Sequence, residues 1–367
     1  MKFSCEKSDL SDVVSIAGRT QLGYGGVPSV RLSLEGSRLQ VTGKDPDLLI
    51  EVETTVAGAD DGTVLLPAVL TTHLVNSLPA GSLEFSIDDN SATLTAGRVQ
   101  FIVESLLDLT PPFLKGTSGE TVTVDEAKFR EALSQVVKAA ARDDGRDVIY
   151  TGVLFASVEG GLRLVSTDGL RLAMRDIAGV NLLGGERQVI VPARALGELE
   201  KILGSLSNGS GQLSVGIGQN EAVFRIGGVT LTTRLIEGSY RDYRQIVETA
   251  MSRKLIVDKD VFLDSAKRLR ILAKETREVT YIRMDIEDDS VKLSVRKPQV
   301  GEGVEVLGGD FVGEPLAIAF DPDLLISGLE GVACDRVTME FTETNKAAKI
   351  SNTDDDSYTY VLMPIRI

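Results

Sequence analysis

The chain repeats itself three times, and this limits the folds open to it more than any short motif does. Alternating apolar residues run from Val30 to Val52, return at Val153–Met174 and return again, more weakly, at Ile282–Arg296. A second apolar element follows each copy, from Val64, Val189 and Leu316, and a third closes each unit, from Leu83, Leu213 and Val337. Equivalent points lie about 120–130 residues apart, a period of whole domains. At 367 residues with 43% hydrophobic content, each copy is long enough to bury its own core.

Within each copy the pattern changes from period two to the helical period and back. A short strand at Lys2–Glu6, Thr121–Val124 and Lys254–Val257 leads into an amphipathic helix, expected at Ser8–Arg19, Asp125–Arg142 and Asp260–Lys274. Ser11, Asp125 and Asp260 are candidate caps or first-turn acids. A second helix is expected at or near Pro67, Pro192 and Pro322, since proline fits a first helical turn. Two helices and several alternating strands per copy predict an α+β fold, the helices covering one face of an antiparallel sheet. Patterning lapses at 111–120 and 245–253, which gives domains 1–118, 119–245 and 246–367.

Catalytic chemistry is hard to place on this chain. Its one histidine, His73, has no nucleophile motif beside it, and Cys5 and Cys334 have no metal-ligand spacing. No glycine-rich phosphate loop is present. Asp60-Asp61 and Asp354-Asp355-Asp356 sit in turn-forming sequence, where Asp serves its own backbone. No cofactor or metal is expected. No apolar run approaches the roughly 20 residues that cross a bilayer, and no leader follows Met1, so a cytoplasmic protein without a membrane partner is expected.

Charge says more. The chain carries −15, which argues against a surface that grips nucleic acid everywhere. Against that background Lys267, Arg270, Lys274 and Arg277 fall on one helical stripe, and Lys128, Glu131, Gln135, Lys138 and Arg142 make a comparable one, with Arg146 just beyond. Arg19 and Lys201 add to the equivalent helices. A basic side on an acidic body would meet phosphates without regard to sequence. The chain also stays apolar to its end, through Tyr360–Ile367, which reads either as an edge strand stopped by Pro364 or as the wall of a peptide groove.

The threefold repeat, VSTDGLRLA at Val165–Ala173, RLIEG at Arg234–Gly238 followed by Asp242-Tyr243-Arg244, and VLMPIR at Val361–Arg366 together resemble the bacterial sliding-clamp family, the β subunit of DNA polymerase III. The resemblance spans the whole chain. It implies three clamp domains per subunit and a head-to-tail homodimer closed into a six-domain ring around duplex DNA, with helices lining the hole. Such a ring is a non-catalytic processivity factor. Its implied partners are the DNA polymerase III α subunit, an ATP-driven clamp loader and other proteins carrying a clamp-binding motif.

The resemblance also assigns residues. The partner-peptide groove would use Tyr150, Thr167, Gly169, Leu170, Arg171, Leu172, Arg241, Gln245, Ile246, Val279, Val361, Met363, Pro364, Ile365 and Arg366. Of these Leu170, Arg241, Gln245, Val279 and Tyr150 depart from the family's usual residues. The linker Thr110–Leu114 keeps an echo of the usual one, and Tyr24-Gly25-Gly26 stand in a loop that carries an arginine in relatives. DNA would be faced by Arg19, Lys138, Arg142, Arg146, Lys201, Lys267, Arg270 and Lys274. The dimer contact would bring Phe101 and Val103 of one subunit to Ile271 and Leu272 of the other. Alternative readings are a divergent second clamp with an altered groove, for a specialised partner or inhibitor resistance, and an interaction scaffold that does not bind DNA.

Overall fold

In a computed structural model the described residues are 1–20, 27–88, 90–107, 120–142, 145, 147–184, 187–206, 211–275 and 281–366. They contain seven helices: α1 (Lys7–Ala17), α2 (Ala68–Ser77), α3 (Glu126–Val136), α4 (Ala193–Leu206), α5 (Arg244–Val247), α6 (Lys259–Ala273) and α7 (Pro322–Glu330). The remainder is mostly antiparallel strand, in four sheets. The α+β expectation holds, with six of these helices falling where the repeat puts them.

The chain forms two compact units, one of Met1–Ala127 with Glu198–Leu235 and the other of Lys128–Gly197 with Ile236–Ile367. Continuous sheets explain this division, because strands of successive repeats pair with each other. In the first unit an eight-stranded sheet runs in the order Thr121–Asp125, Gln212–Ile217, Glu221–Ile226, Val229–Arg234, Leu48–Thr55, Arg38–Lys44, Ser29–Glu35, Gly62–Pro67. Its central joint sets Val229 opposite Val52 and Thr233 opposite Leu48. In the second unit a nine-stranded sheet contains the equivalent joint, Tyr358 opposite Arg175 and Leu362 opposite Arg171. Smaller sheets of five and four strands complete the two units.

Burial follows the sequence pattern. Along Ser29–Glu35 the residues Val30, Leu32 and Leu34 are buried, and α1 hides Leu10, Val13, Val14, Ile16 and Ala17. α1 packs on α2 and on the strands Arg38–Lys44 and Leu48–Thr55, and α6 packs on α7 and on Ser290–Lys297 and Gly301–Gly308. α7 and its C-cap lie close over the last strand because Gly328 and Gly331 carry no side chains. A Cβ on Gly328 would sit 2.6 Å from Tyr360 Cδ1, and one on Gly331 would collide with the Tyr358 hydroxyl.

Several local expectations shift. α6 is capped by Asp258, whose Oδ1 accepts from Val261 N at 2.9 Å, and Asp260 falls in the first turn. Ser11 lies inside α1 and hydrogen-bonds Asn76 of α2. Pro67 and Pro192 end strands, whereas Pro322 opens α7 behind the Asp321 cap. α3 stops at Val136 and tightens into a 3-10 turn over Val137–Ala139, well before Arg142. The carbonyl of Lys138 is taken by Arg171, and Ala141 N donates to Tyr150 O at 2.8 Å, so the chain turns away from the helix axis. Tyr24-Gly25-Gly26, Thr110–Leu114, Arg146, Arg277, Val279 and the boundary at 118/119 lie outside the described residues.

Candidate functional site: a peptide groove, a cationic helix face and two open sheet edges

The residues expected to form the groove come, within the second unit, from a tight hairpin and the C-terminal strand. Gly161–Thr167 and Arg171–Ala178 are joined through Asp168, Gly169 and Leu170. Gly169 adopts φ +85, which a side chain would resist. The Asp168 carboxylate holds the turn, accepting from Leu170 N at 2.9 Å, Arg171 N at 3.0 Å and Arg171 Nε at 3.0 Å. Thr167 Oγ1 donates to Arg171 O at 2.5 Å and accepts from Gly169 N at 3.0 Å. This network presents Leu170 outward, 50% exposed. Met363 N donates to Leu170 O at 2.9 Å and Ile365 N to Ala319 O at 2.8 Å, so the terminal segment runs beside the turn with Met363 exposed.

Below this rim lies an apolar floor of Ile149, Leu154, Val165, Leu172, Met174, Ile190, Tyr243 and Val361, with Tyr150 and Tyr240 packed against it. The rings of Tyr150 and Tyr240 meet edge to face at 5.9 Å, and the Arg241 guanidinium stands 6.0 Å above Tyr150. Arg163 is anchored by Asp176 through two 2.7 Å hydrogen bonds, which hold its proton more firmly. Burial raises the Tyr240 hydroxyl, so this floor stays uncharged. Of the expected groove residues, Tyr150, Leu172 and Val361 are brought together at the floor, and Thr167, Gly169, Leu170, Arg171 and Met363 at the rim. Pro364 and Ile365 are half-buried, and Arg366, Gln245 and Ile246 are exposed.

Within each unit, the cations expected to face DNA have partners that the sequence reading missed. Three carboxylates on the second helices each hold two of these cations. Glu198 of α4 lies 3.5 Å from Arg19 Nη1 and 2.7 Å from Lys201 Nζ. Glu330 of α7 lies 3.3 Å from both Lys138 Nζ and Lys267 Nζ. Asp323 of α7 accepts from Arg270 Nε with one oxygen and from Lys274 Nζ with the other. Gln135, expected on the solvated stripe, is buried and donates to Gly331 O at 2.6 Å, and Glu131 sits 3.5 Å from Arg175. Arg142 is exposed.

Among the edge strands of these sheets, Val99–Glu104 ends the five-stranded sheet and Gly301–Gly308 ends the four-stranded one. Both carry exposed apolar side chains, Ile102 at 67%, Val304 at 47% and Val306 at 65%. Phe101, on the first of these strands, is half-buried; on α6, beside the second, Ile271 is 70% exposed and Leu272 is half-buried. Val103 is buried in its own sheet, so any contact it makes is through its backbone. An apolar edge of this kind invites another strand.

The candidates for chemistry are otherwise accounted for. His73 is exposed on α2. Asp61 accepts from Gly36 N at 2.7 Å, tying its segment to the Glu35–Arg38 hairpin, and Asp355 closes its own turn, accepting from Asn352 Nδ2 at 3.0 Å and Ser357 N at 2.7 Å. Burial, with Asp9 and Glu6 nearby, pushes the Cys5 thiol up to about 11. Among the described residues no helix is long and apolar enough to cross a membrane.

Comparison with known proteins decides the family. Models of the DNA polymerase III beta subunit match residues 1–108 (N-terminal domain), 123–242 (central domain) and 244–366 (C-terminal domain). The chain belongs to this family. The beta sliding clamp of Synechocystis sp. is 27% identical over 393 residues, covering 100% of both chains. The solved DNA polymerase III subunit beta from Pseudomonas aeruginosa superimposes with a TM-score of 0.88 at 24% identity, again over 100% of both chains. A sliding clamp from Bartonella birtlesii bound to griselimycin reaches 0.90 at 25% identity, with 100% of each chain covered. Three clamp domains on one chain therefore account for the repeat.

Proposed function

We propose that the protein is a DNA sliding clamp: two copies close head to tail into a six-domain ring around duplex DNA and tether DNA polymerase III and other replication and repair proteins to it. It works as a non-catalytic processivity factor in the cytoplasm, opened by a clamp loader, with domains 1–118, 119–245 and 246–367. The groove around Leu170, Leu172, Val361 and Met363 takes an extended partner peptide with apolar side chains. The face carrying Arg19, Lys138, Arg142, Lys201, Lys267, Arg270 and Lys274 is turned to the phosphates.

The observation that carries this reading is the register of the sheet joints. The hairpins Glu35–Arg38, Val158–Gly161 and Glu287–Ser290 are equivalent, and so are the edge positions Thr55, Ala178 and Gly308 that they lead to. The hairpins Ala96–Val99 and Ile226–Val229 are likewise equivalent. Two joints are made within the chain, with Val229 opposite Val52 and Tyr358 opposite Arg175. Applied to the two open edges, the same rule sets Val99 opposite Glu305 of the partner subunit, Phe101 opposite Gly303 of the partner subunit and Val103 opposite Gly301 of the partner subunit. A bulky ring facing glycine matches the internal pair of Tyr360 with Ala173. A second copy thus fits the edges left open by the first.

Two measurements test the reading. The mass in solution should be twice 39.4 kDa. The loaded ring should stay on circular DNA and be released when the circle is cut; retention on both forms, or on neither, refutes topological binding.

A further inference from the structure

We infer that Glu198, Asp323 and Glu330 act as fixed counterions of the DNA-facing surface, setting how weakly it holds phosphate. The inference rests on the clamp reading above and concerns residues which that reading does not use.

The geometry is the same three times. In each group one carboxylate divides its two oxygens between two cations: Glu330 gives Oε2 to Lys138 and Oε1 to Lys267, Asp323 gives Oδ1 to Arg270 and Oδ2 to Lys274, and Glu198 gives Oε2 to Arg19 and Oε1 to Lys201. Six of the eight cations expected on this face are engaged in this way. Each group carries two positive charges and one negative, so it presents a single net charge. Five of the six cations are 39–57% exposed at their side chains, and Arg19 is 29% exposed, so they remain within reach of a phosphate.

The partly exposed pairs of Asp323 and Glu330 contribute little to folding, so stability gives a weak account of them; Glu198 is buried, and its pairs also offset the burial of its charge. Their larger effect is on the ligand. Binding to DNA is driven by release of condensed counterions, with a salt slope of about 0.9 for each phosphate neutralised. A lysine already paired with a carboxylate must share or abandon it before it neutralises a phosphate. The carboxylates therefore lower the number of charges the face can bring to bear, while keeping each cation positioned. Burial alone would raise the Asp323 carboxyl, but hydrogen bonds from Lys274 and Arg270 outweigh it and hold it ionised. For a ring that must slide, a phosphate contact that is always contested is short-lived.

The test is equilibrium binding of the full-length protein to a short blunt-ended duplex, read by fluorescence anisotropy across a salt series. Glu330→Gln, Asp323→Asn and the two together are compared with the unmodified protein and with Glu330→Asp, which keeps the charge. The neutralised variants should bind more tightly at low salt, with a slope steeper by about 0.9 for each carboxylate removed, and Glu330→Asp should stay near the original slope. Unchanged slopes in Glu330→Gln and Asp323→Asn, while charge reversal at Lys267, Arg270 and Lys274 abolishes binding, would overturn the inference and leave the clamp reading standing. If that charge reversal has no effect, the cationic face does not meet DNA and the reading beneath the inference fails. Glu330 and Asp323 are partly exposed, and a thermal melt of each variant confirms that it is folded before its slope is used.

Discussion

A pair of cysteines at Gln100 and Val304 tests the subunit joint at single-residue resolution. Within the chain, the equivalent positions are Thr230 opposite Glu51 and Thr359 opposite Met174. Directly opposed residues of antiparallel strands have Cβ atoms about 4.5–5.5 Å apart, and diagonal neighbours on the same face about 7–8 Å. A disulfide needs Cβ atoms about 3.5–4.5 Å apart, which a small strand adjustment supplies for the first pair and cannot supply for the second. The experiment replaces Cys5 and Cys334 with serine, introduces Gln100→Cys with Val304→Cys, oxidises the protein and reads a non-reducing denaturing gel. Two disulfides per ring should give a covalent species at twice 39.4 kDa. The pairs Gln100→Cys with Glu302→Cys and Gln100→Cys with Val306→Cys should give little of it. If either diagonal pair cross-links as well as the direct one, the register carried over from the internal joints is wrong. If none does, the two open edges do not meet.

Four further outcomes follow from particular contacts. Gly328→Ala places a methyl group 2.6 Å from Tyr360 Cδ1 and should destabilise the fold by about 1–3 kcal/mol, read as a lower thermal midpoint. Leu170→Ala removes a half-exposed apolar side chain from the groove rim; burying a leucine on binding is worth about 1.5–3 kcal/mol. With half of that already realised in the free protein, a clamp-motif peptide should bind about three- to tenfold more weakly by calorimetry, with the dimer intact. Ile271→Asp should shift the dimer towards monomer in sedimentation, because a carboxylate would enter an apolar contact. Hydrogen bonds from Arg268 and then Ser265 lower the Glu305 carboxyl from 4.5 to about 2. The stabilisation this gives is complete above the unfolded value of 4.5 and is lost as pH falls towards 2, so the stability difference between the protein and Glu305→Gln should shrink across that window.

Much of the fold could be read from the sequence because each repeat imposes the same burial on the same period. The alternation around Val30–Val52 and the helical spacing of Phe129, Leu133 and Val136 each find their partners locally or within the same copy. What escaped depends on distant pairing. The early end of α3 follows from Arg171 reaching the carbonyl of Lys138, and no local pattern announces it. Glu198 with Lys201 has the spacing of a helical ion pair and was legible. Glu330 meeting Lys138 and Lys267 joins three separate elements and was not. In the groove, Tyr150, Leu170 and Met363 were assigned from the resemblance, whereas the contribution of Tyr240 and Tyr243 to the floor emerges only when the 236–247 segment folds over the sheet.

The three first helices of the repeat also differ at one matched position. Arg19, Lys138 and Ile271 stand at the same distance beyond the strands that precede α1, α3 and α6. At the two joints that the chain itself secures, this position holds an ion pair, with Glu198 or Glu330. At the joint left for a second copy it holds bare hydrocarbon, 70% exposed. Salt weakens ion pairs by screening and leaves hydrocarbon contacts intact. In the proposed ring the joint between copies would thus rest on hydrocarbon and the DNA-facing cations on ion pairs, so added salt would loosen the second without unfastening the first.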